Sequence, residues 1–430
     1  MRKMRLLVMS ILLVGLLALP VYAVEINLWS SAEFTPSTGL MVAQPFYQEA
    51  YEEFAEKHPD INLTYEILSG STEALQRVLA AASAGQLPDV GIMDGFWIPR
   101  LHERGILQPI TKYWSDEERA DYMPEVIDAV TFDGDTYALW FYNAWRGLFY
   151  RQDILEEVGY TEFPSNYDEF IEMALKLKEN GYWAVMLPAM NSEVTFLHML
   201  GFFWGFGGQL VDESGKPVFH EGANRQALAN TYQIYYDLVN VHEVMPSDVI
   251  TMDEHAVRQY LYSNETAMAA QTSSHLMNLK QERPDLYEVL GAATYPMPKG
   301  YQGVSHLVGW TYAIFTEDPE KQAAAWEFIA HMTESETLGS LNQAQGHLPV
   351  RGTIYENNPF FQEDPIFSQF HDLVFNGQIR PRPAVAIYPV ISNSITIRLA
   401  DVIMGELSID EAIDEAAEEV MIEWNRMDDR

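Results

Sequence analysis

Between residues 25 and 97 the spacing of apolar side chains switches back and forth between two periods. In "EINLWSS", Ile26 and Leu28 alternate with polar neighbours, the period of a strand. In "PFYQEAYEEFAEKHPD", Phe46, Ala50 and Phe54 recur at i, i+4 and i+8 with Tyr47, Tyr51 and Ala55 beside them. One stripe of a helix is therefore apolar, and Pro59 stops it. "INLTYEIL" alternates again. "STEALQRVLAAASAG" reads as a second amphipathic helix, capped by Ser71 or Thr72 and ended by Gly85, and "DVGIM" as a third strand. This β-α-β-α-β order predicts an α/β fold with a mostly parallel sheet covered by helices.

The third strand ends unusually. "AGQLPDVGIMDGFW" delivers Asp94, Gly95, Phe96 and Trp97 at its carboxyl end. In open α/β sheets ligands bind outside the carboxyl ends of the strands, so an acid and an indole are expected there at a pocket. The same expectation covers residues 29–33 after the first strand and 70–72 after the second.

Further on, Asp133-Gly134 predicts a turn, followed by two strand-like runs through "ALWFYNAWRGLFYRQDIL". "YDEFIEMALKLKENG" predicts a helix closed by Gly181. "GFFWGFGGQLVDESGKPVF" reads as an aromatic, glycine-rich surface segment. "EKQAAAWEFIAHMT" and "SIDEAIDEAAEEVMIEW" are late amphipathic helices. There is no internal repeat, low-complexity tract or long linker.

With 430 residues, two lobes are expected rather than one core. The N-terminus has the layout of a secretory signal, residues 1–23: a basic "MRKMR", an apolar "ILLVGLLAL", and cleavage after Ala23. That apolar run falls short of the ~20 residues that span a bilayer. The chain lacks cysteine, which removes disulfides, thiolate nucleophiles and a lipid-anchor cysteine, so a free periplasmic product is expected. The formal charge is −36, and −39 once Arg2, Lys3 and Arg5 leave with the signal. Such a surface repels phosphate backbones and argues against nucleic acid as a partner. It suits a solvated face in a salty habitat.

The eleven histidines form no H-x-x-x-H pair, and no metal or cofactor is expected. "GFGGQL" lacks the third glycine and the preceding strand of a dinucleotide fingerprint. No nucleophile elbow, phosphate-binding Walker loop or EF-hand loop occurs. A glycosidase needs only two carboxylates at a set separation, so a secreted carbohydrate-active enzyme stays open beside a non-catalytic reading.

The stretch "FAEKHPDINLTYEI…LQRVLAAASAGQLPDVGIMDGFWIPRLHERGILQPI" resembles the extracellular solute-binding proteins, family 1, of bacterial ABC importers, the maltose-binding-protein-like group. "LFYRQDIL", "GGQLVDESGKPVF", "VGWTYAIF", "AAAWEFIAHMT", "GHLPVR" and "PVISNSITIRLADVIMGELSIDEAIDEA" extend the likeness, in the family's order, over nearly all of the chain beyond the signal. The resemblance implies a two-lobed periplasmic-binding-protein fold with three crossings and hinge closure, here near 140–143, 304–309 and 346–352. The lobes would be 24–140 with 309–350, and 143–304 with 352–430. It also implies a monomer that binds a sugar or oligosaccharide and delivers it to permease subunits in the inner membrane.

Sugar rings pack apolar faces on aromatic rings and present hydroxyls to carboxylates, amides and Arg. The ligand-binding residues expected on this basis are Asp94, Trp97 and Trp310, with Glu33 after the first strand, Tyr142, Asn143 and Arg146 at the first crossing, and Trp204, Arg351 and Arg382. The chain departs from the family's pattern at "AMAAQTSSHL", where Ser274 and His275 replace an expected aromatic. Arg146, His275, Arg351 and Arg382 together keep an anionic cargo open, of glycerol-phosphate or uronate type.

Overall fold

A computed structural model describes residues 23–428 except 37–41, 69–70, 376–377 and 384. The signal segment and Gly70 lie outside the described residues, as do the side chains at 71–73.

Two sheets divide the molecule into two lobes. The first holds Val24–Ser31 between Ile61–Leu68 and Val90–Asp94, all parallel, with Trp310–Ile314 antiparallel beside Val90–Asp94 and Ala138–Trp140 beyond it. Leu28, Val90 and Ile92 are fully buried in it. Ile61–Leu68 is the half-exposed edge strand, which is why its pattern alternates so visibly. The second sheet runs in the order Leu290–Ala293, Arg146–Arg151, Thr266–Thr272, Trp183–Met186. Every residue of Thr266–Thr272 is buried.

Helices cover both sheets. Gln44–Lys57 buries Tyr47, Ala50 and Phe54 as its stripe requires, while Phe46, at the end of that stripe, stays outside. Pro319–Thr333 starts where the Asp318 carboxylate accepts from the Glu320 and Lys321 N–H groups, with proline at the first helical position. Gly85 ends Ser71–Ala84 at φ +65°. Tyr388–Met404 and Ile409–Asp428 pack on each other and on the second lobe's helices Glu193–Gly205 and Gly222–Tyr236.

Among the described residues the chain passes between the lobes three times. It leaves the first after Trp140 and enters the second at Arg146; it returns between Ala293 and Trp310. The last passage falls between Thr353, which still bonds Asp121, and Asp364, which accepts from Lys280 and Tyr287 of the second lobe. That passage lies beyond the 346–352 expected.

One sequence reading is corrected. The expected surface segment from Gly201 is instead the end of the helix Glu193–Gly205, and Phe202, Phe203 and Trp204 are 2%, 2% and 5% exposed. A helix apolar on all sides has no solvent face to offer. Only the turn after it, from Gly207, reaches the surface.

Candidate ligand cleft between the lobes

Strand register sets the first wall. Trp310 stands opposite Asp94 in the antiparallel pair, and the Gly95 N–H donates to the Gly309 carbonyl at 3.0 Å. The chain then turns through Gly95–Trp97, with the Asp94 carboxylate capping the Phe96 N–H at 3.0 Å. Phe96 and Trp97 thus leave the strand end at one place. Trp97 meets Trp310 edge-on at 5.6 Å, and Trp310 meets Phe34 at 5.4 Å.

The second lobe supplies the facing wall. Ser192 caps its helix by accepting from the Thr195 N–H at 3.1 Å, which places Glu193 in the first turn where the helix dipole favours an acid. Glu193 accepts from the Tyr388 hydroxyl at 2.8 Å and from Ser392. Arg382 joins the walls: it donates to Glu193 at 3.1 Å and to Asp94 at 3.1 Å, and lies 4.4 Å over the Phe96 ring. Phe96 and Tyr388 rings are 4.7 Å apart.

These groups enclose a cavity of about 350 Å³. Asp94, Phe96 and Trp97 line it from one side; Glu193, Tyr388 and Asn393 line it from the other, with Gln76, Arg100, Asn191 and Ser392 around the rim. It is lined by rings and by paired donors and acceptors.

Further polar groups gather after the first strand and around the first crossing, outside the lining of this cavity. Glu33 is half-buried; burial pushes its carboxyl up to about 7, against the Ser31 hydroxyl bond and with a further push from Asp94. Tyr142 stacks on His347 at 3.6 Å and lies in the field of Glu33, Asp94 and Arg146. Asn143 is fully buried in the crossing: its N–H and C=O both pair with Leu348 at 2.8 Å, and its side-chain carbonyl accepts from Val308. Arg146 pairs with Glu254 at 2.5 Å. His198 lies 3.3 Å from the same carboxylate, with its other nitrogen 2.5 Å from the Tyr295 hydroxyl. A carboxylate only accepts, so His198 Nε2 carries the proton and Nδ1 accepts from tyrosine. Burial would push Glu254 up, but the Arg146 charge and His198 hold it well below the usual range. Burial and Arg258 lower half-buried His275 to about 4.

Of the expected residues, Asp94, Trp97 and Arg382 line the cavity. Trp310, Glu33, Tyr142, Asn143 and Arg146 do not line it and lie instead at the strand ends and the first crossing; His275 lies in the electrostatic field of Glu254 and Arg146. Two stand apart. Arg351 donates to Asp121 at 2.7 Å and to the Thr333 carbonyl at 2.5 Å, stacked on Tyr122. Trp204 is core, 5.2 Å from the buried His306 ring. Glu193, Tyr388 and Ser392 were missed. Phe96 was legible between Asp94 and Trp97; nothing local in "NSEV" marks Glu193 as a wall residue.

Two α/β lobes walling one cleft define a two-lobed binding protein of the MalE type. The chain belongs to the bacterial extracellular solute-binding protein family, whose model matches residues 39–337. It is similar to a putative binding protein of Brucella abortus, 23% identical over 325 residues, 74% of each chain. It is also similar to the maltotriose-binding protein of Pyrococcus abyssi, 22% identical over 78% of this chain and 70% of that one. Among solved structures, maltose-bound MalE3 of T. maritima superposes with a TM-score of 0.78 at 26% identity, covering 93% of this chain and all of that one. MalE of Xanthomonas citri gives 0.79 at 22% identity, covering 94% and 99%. Among the described residues no helix is long and apolar enough to cross a membrane, and no cluster could hold a metal ion.

Proposed function

We propose that this protein is the substrate-binding subunit of an ABC importer, exported after cleavage at Ala23 without a lipid anchor. As a monomer it takes a neutral saccharide in the cleft and hands it to a membrane permease. The observation that carries this reading is the cavity between the lobes, where Phe96, Trp97 and Tyr388 supply aromatic lining and Asp94, Glu193, Asn191 and Asn393 supply the polar groups that hydroxyls need. Relatives named for maltotriose, mannitol and lactose binding support a polyhydroxylated cargo.

The arginines favour a neutral cargo over an anionic one. Arg146, Arg351 and Arg382 are each already neutralised by a carboxylate. On the cavity wall, Asp94 and Glu193 balance Arg100 and Arg382. An anion held by Arg382 would have to displace Asp94 or Glu193, whose carboxylates face the same cavity.

Thermal-shift screening followed by calorimetry, over neutral saccharides, uronates and glycerol phosphates, tests the reading. At least one neutral saccharide should raise Tm and titrate with one site per chain. If only anions do so, the cargo assignment is wrong. Chromatography of the saccharide after long incubation should return it unchanged; turnover would make the protein an enzyme.

A further inference from the structure

Phe96 and Arg382 each line two cavities. On one side is the polar cleft; on the other is a second cavity of about 260 Å³, walled by Pro99, Ala129, Trp140, Pro381 and Pro383. Trp140 belongs to the first sheet and Pro99 to the helix after Trp97, while residues 381–383 arrive with the strand Gln378–Pro381. The polar groups nearest this space are spent. The Trp140 indole N–H donates to the Tyr142 carbonyl at 2.6 Å, and the Arg382 guanidinium is held by Asp94 and Glu193. The side chains that remain present pyrrolidine rings, a methyl group and ring carbons of Trp140 and Phe96.

A pyranose is a poor guest there, because its hydroxyls would lose water and find few partners. An apolar group is a good one. A dry cavity of roughly 150 Å³ already accommodates benzene, so 260 Å³ has room for an aryl ring and its linking atoms. The two cavities lie side by side, with the Phe96 ring and the Arg382 side chain as the partition between them.

We propose that this second cavity binds the apolar aglycone of a glycoside whose sugar occupies the cleft: an aryl or short alkyl substituent that follows the Phe96 ring from one cavity into the other. The inference rests on the saccharide reading above, and the experiment separates the two.

Calorimetry with maltose, lactose and cellobiose, each beside its p-nitrophenyl glycoside, reads the contribution of the substituent. For the sugar that binds, the aryl glycoside should bind roughly ten-fold or more tightly than the parent. Ala129→Phe fills the second cavity without touching the cleft, so it should erase that gain and leave the parent's Kd unchanged. Because the chain has no cysteine, Ala129→Cys offers a single thiol for N-ethylmaleimide; the aryl glycoside should slow its alkylation and the parent sugar should not. Equal binding of parent and aryl glycoside overturns the aglycone site, as does a gain that survives Ala129→Phe or a thiol left unprotected. In those cases the saccharide reading stands. If no saccharide of the thermal-shift screen binds, with or without its aryl group, the saccharide reading falls and the aglycone site with it.

Discussion

Arg382 and Asp94, 288 residues apart in the chain, meet across the cleft with the guanidinium 3.1 Å from one carboxylate oxygen and 3.5 Å from the other. Asp94 belongs to the first lobe's sheet, and Arg382 is also held by Glu193 of the second lobe. The pair therefore ties the lobes together at the wall of the cavity. Its side chains are only 7% and 16% exposed, so salt screens it less than a surface pair.

Asp94→Asn keeps the cap on the Phe96 N–H but removes the charge that Arg382 and a sugar hydroxyl share. A charge-assisted hydrogen bond contributes ~1.5–3 kcal/mol, so affinity for the neutral ligand should fall roughly ten- to a hundred-fold. Calorimetry reads this directly. Tm should move little, because Glu193 still holds Arg382.

Glu33 should make stability pH-dependent. Its carboxyl titrates near 4.5 when unfolded and about 7 when folded. Between those values the folded chain keeps a proton that the unfolded chain has released, so its favourable contribution is complete below about 4.5 and is lost as pH rises through 7. Glu33→Gln, neutral at every pH, should flatten that part of the profile. Urea midpoints for both proteins from pH 5 to 8 test it; parallel curves would remove Glu33 as the cause.

Glu254 anchors a buried charge cluster. It is 8% exposed and is shared by Arg146 and His198. Glu254→Gln leaves Arg146 buried without its counter-charge and should cost ~3–5 kcal/mol by urea unfolding. The double change Glu254→Met with Arg146→Met should recover much of that stability, because a buried pair replaced as a unit leaves no stranded charge.

Gly309 admits no side chain. A Cβ there would stand 2.0 Å from the Tyr142 carbonyl oxygen and 2.2 Å from the Trp140 indole nitrogen, which are bonded to each other at 2.6 Å. Gly309→Ala must force them apart, at ~1–3 kcal/mol or more. Tm should drop, and ligand affinity with it, because the same contact seats Trp310 beside Asp94.

Much of the first lobe was legible because its signals are local. The alternation in 61–68, the stripe of Tyr47, Ala50 and Phe54, and the stop at Gly85 each depend on residues within a few turns of one another. So did Asp94 and Trp97, since a strand's carboxyl end is where this architecture opens. The second wall was not legible. Glu193 reads as an ordinary first-turn acid, and only the packing of Tyr388–Met404 on its helix makes it a cavity group. Arg351 shows the converse: a cation expected at the cleft has Asp121, 230 residues earlier in the chain, as its partner.

By itself, then, the sequence determined the order of elements in the first lobe, the family likeness and the chemistry at the strand ends, because periodicity, capping and turn residues act over a few positions. Only the tertiary structure decided which charges neutralise one another, that the aromatic run from Gly201 is core, and that two cavities meet at Phe96. Those depend on loops hundreds of residues long being closed. What closes them is the summed packing of both lobes, to which no short stretch of chain holds the key.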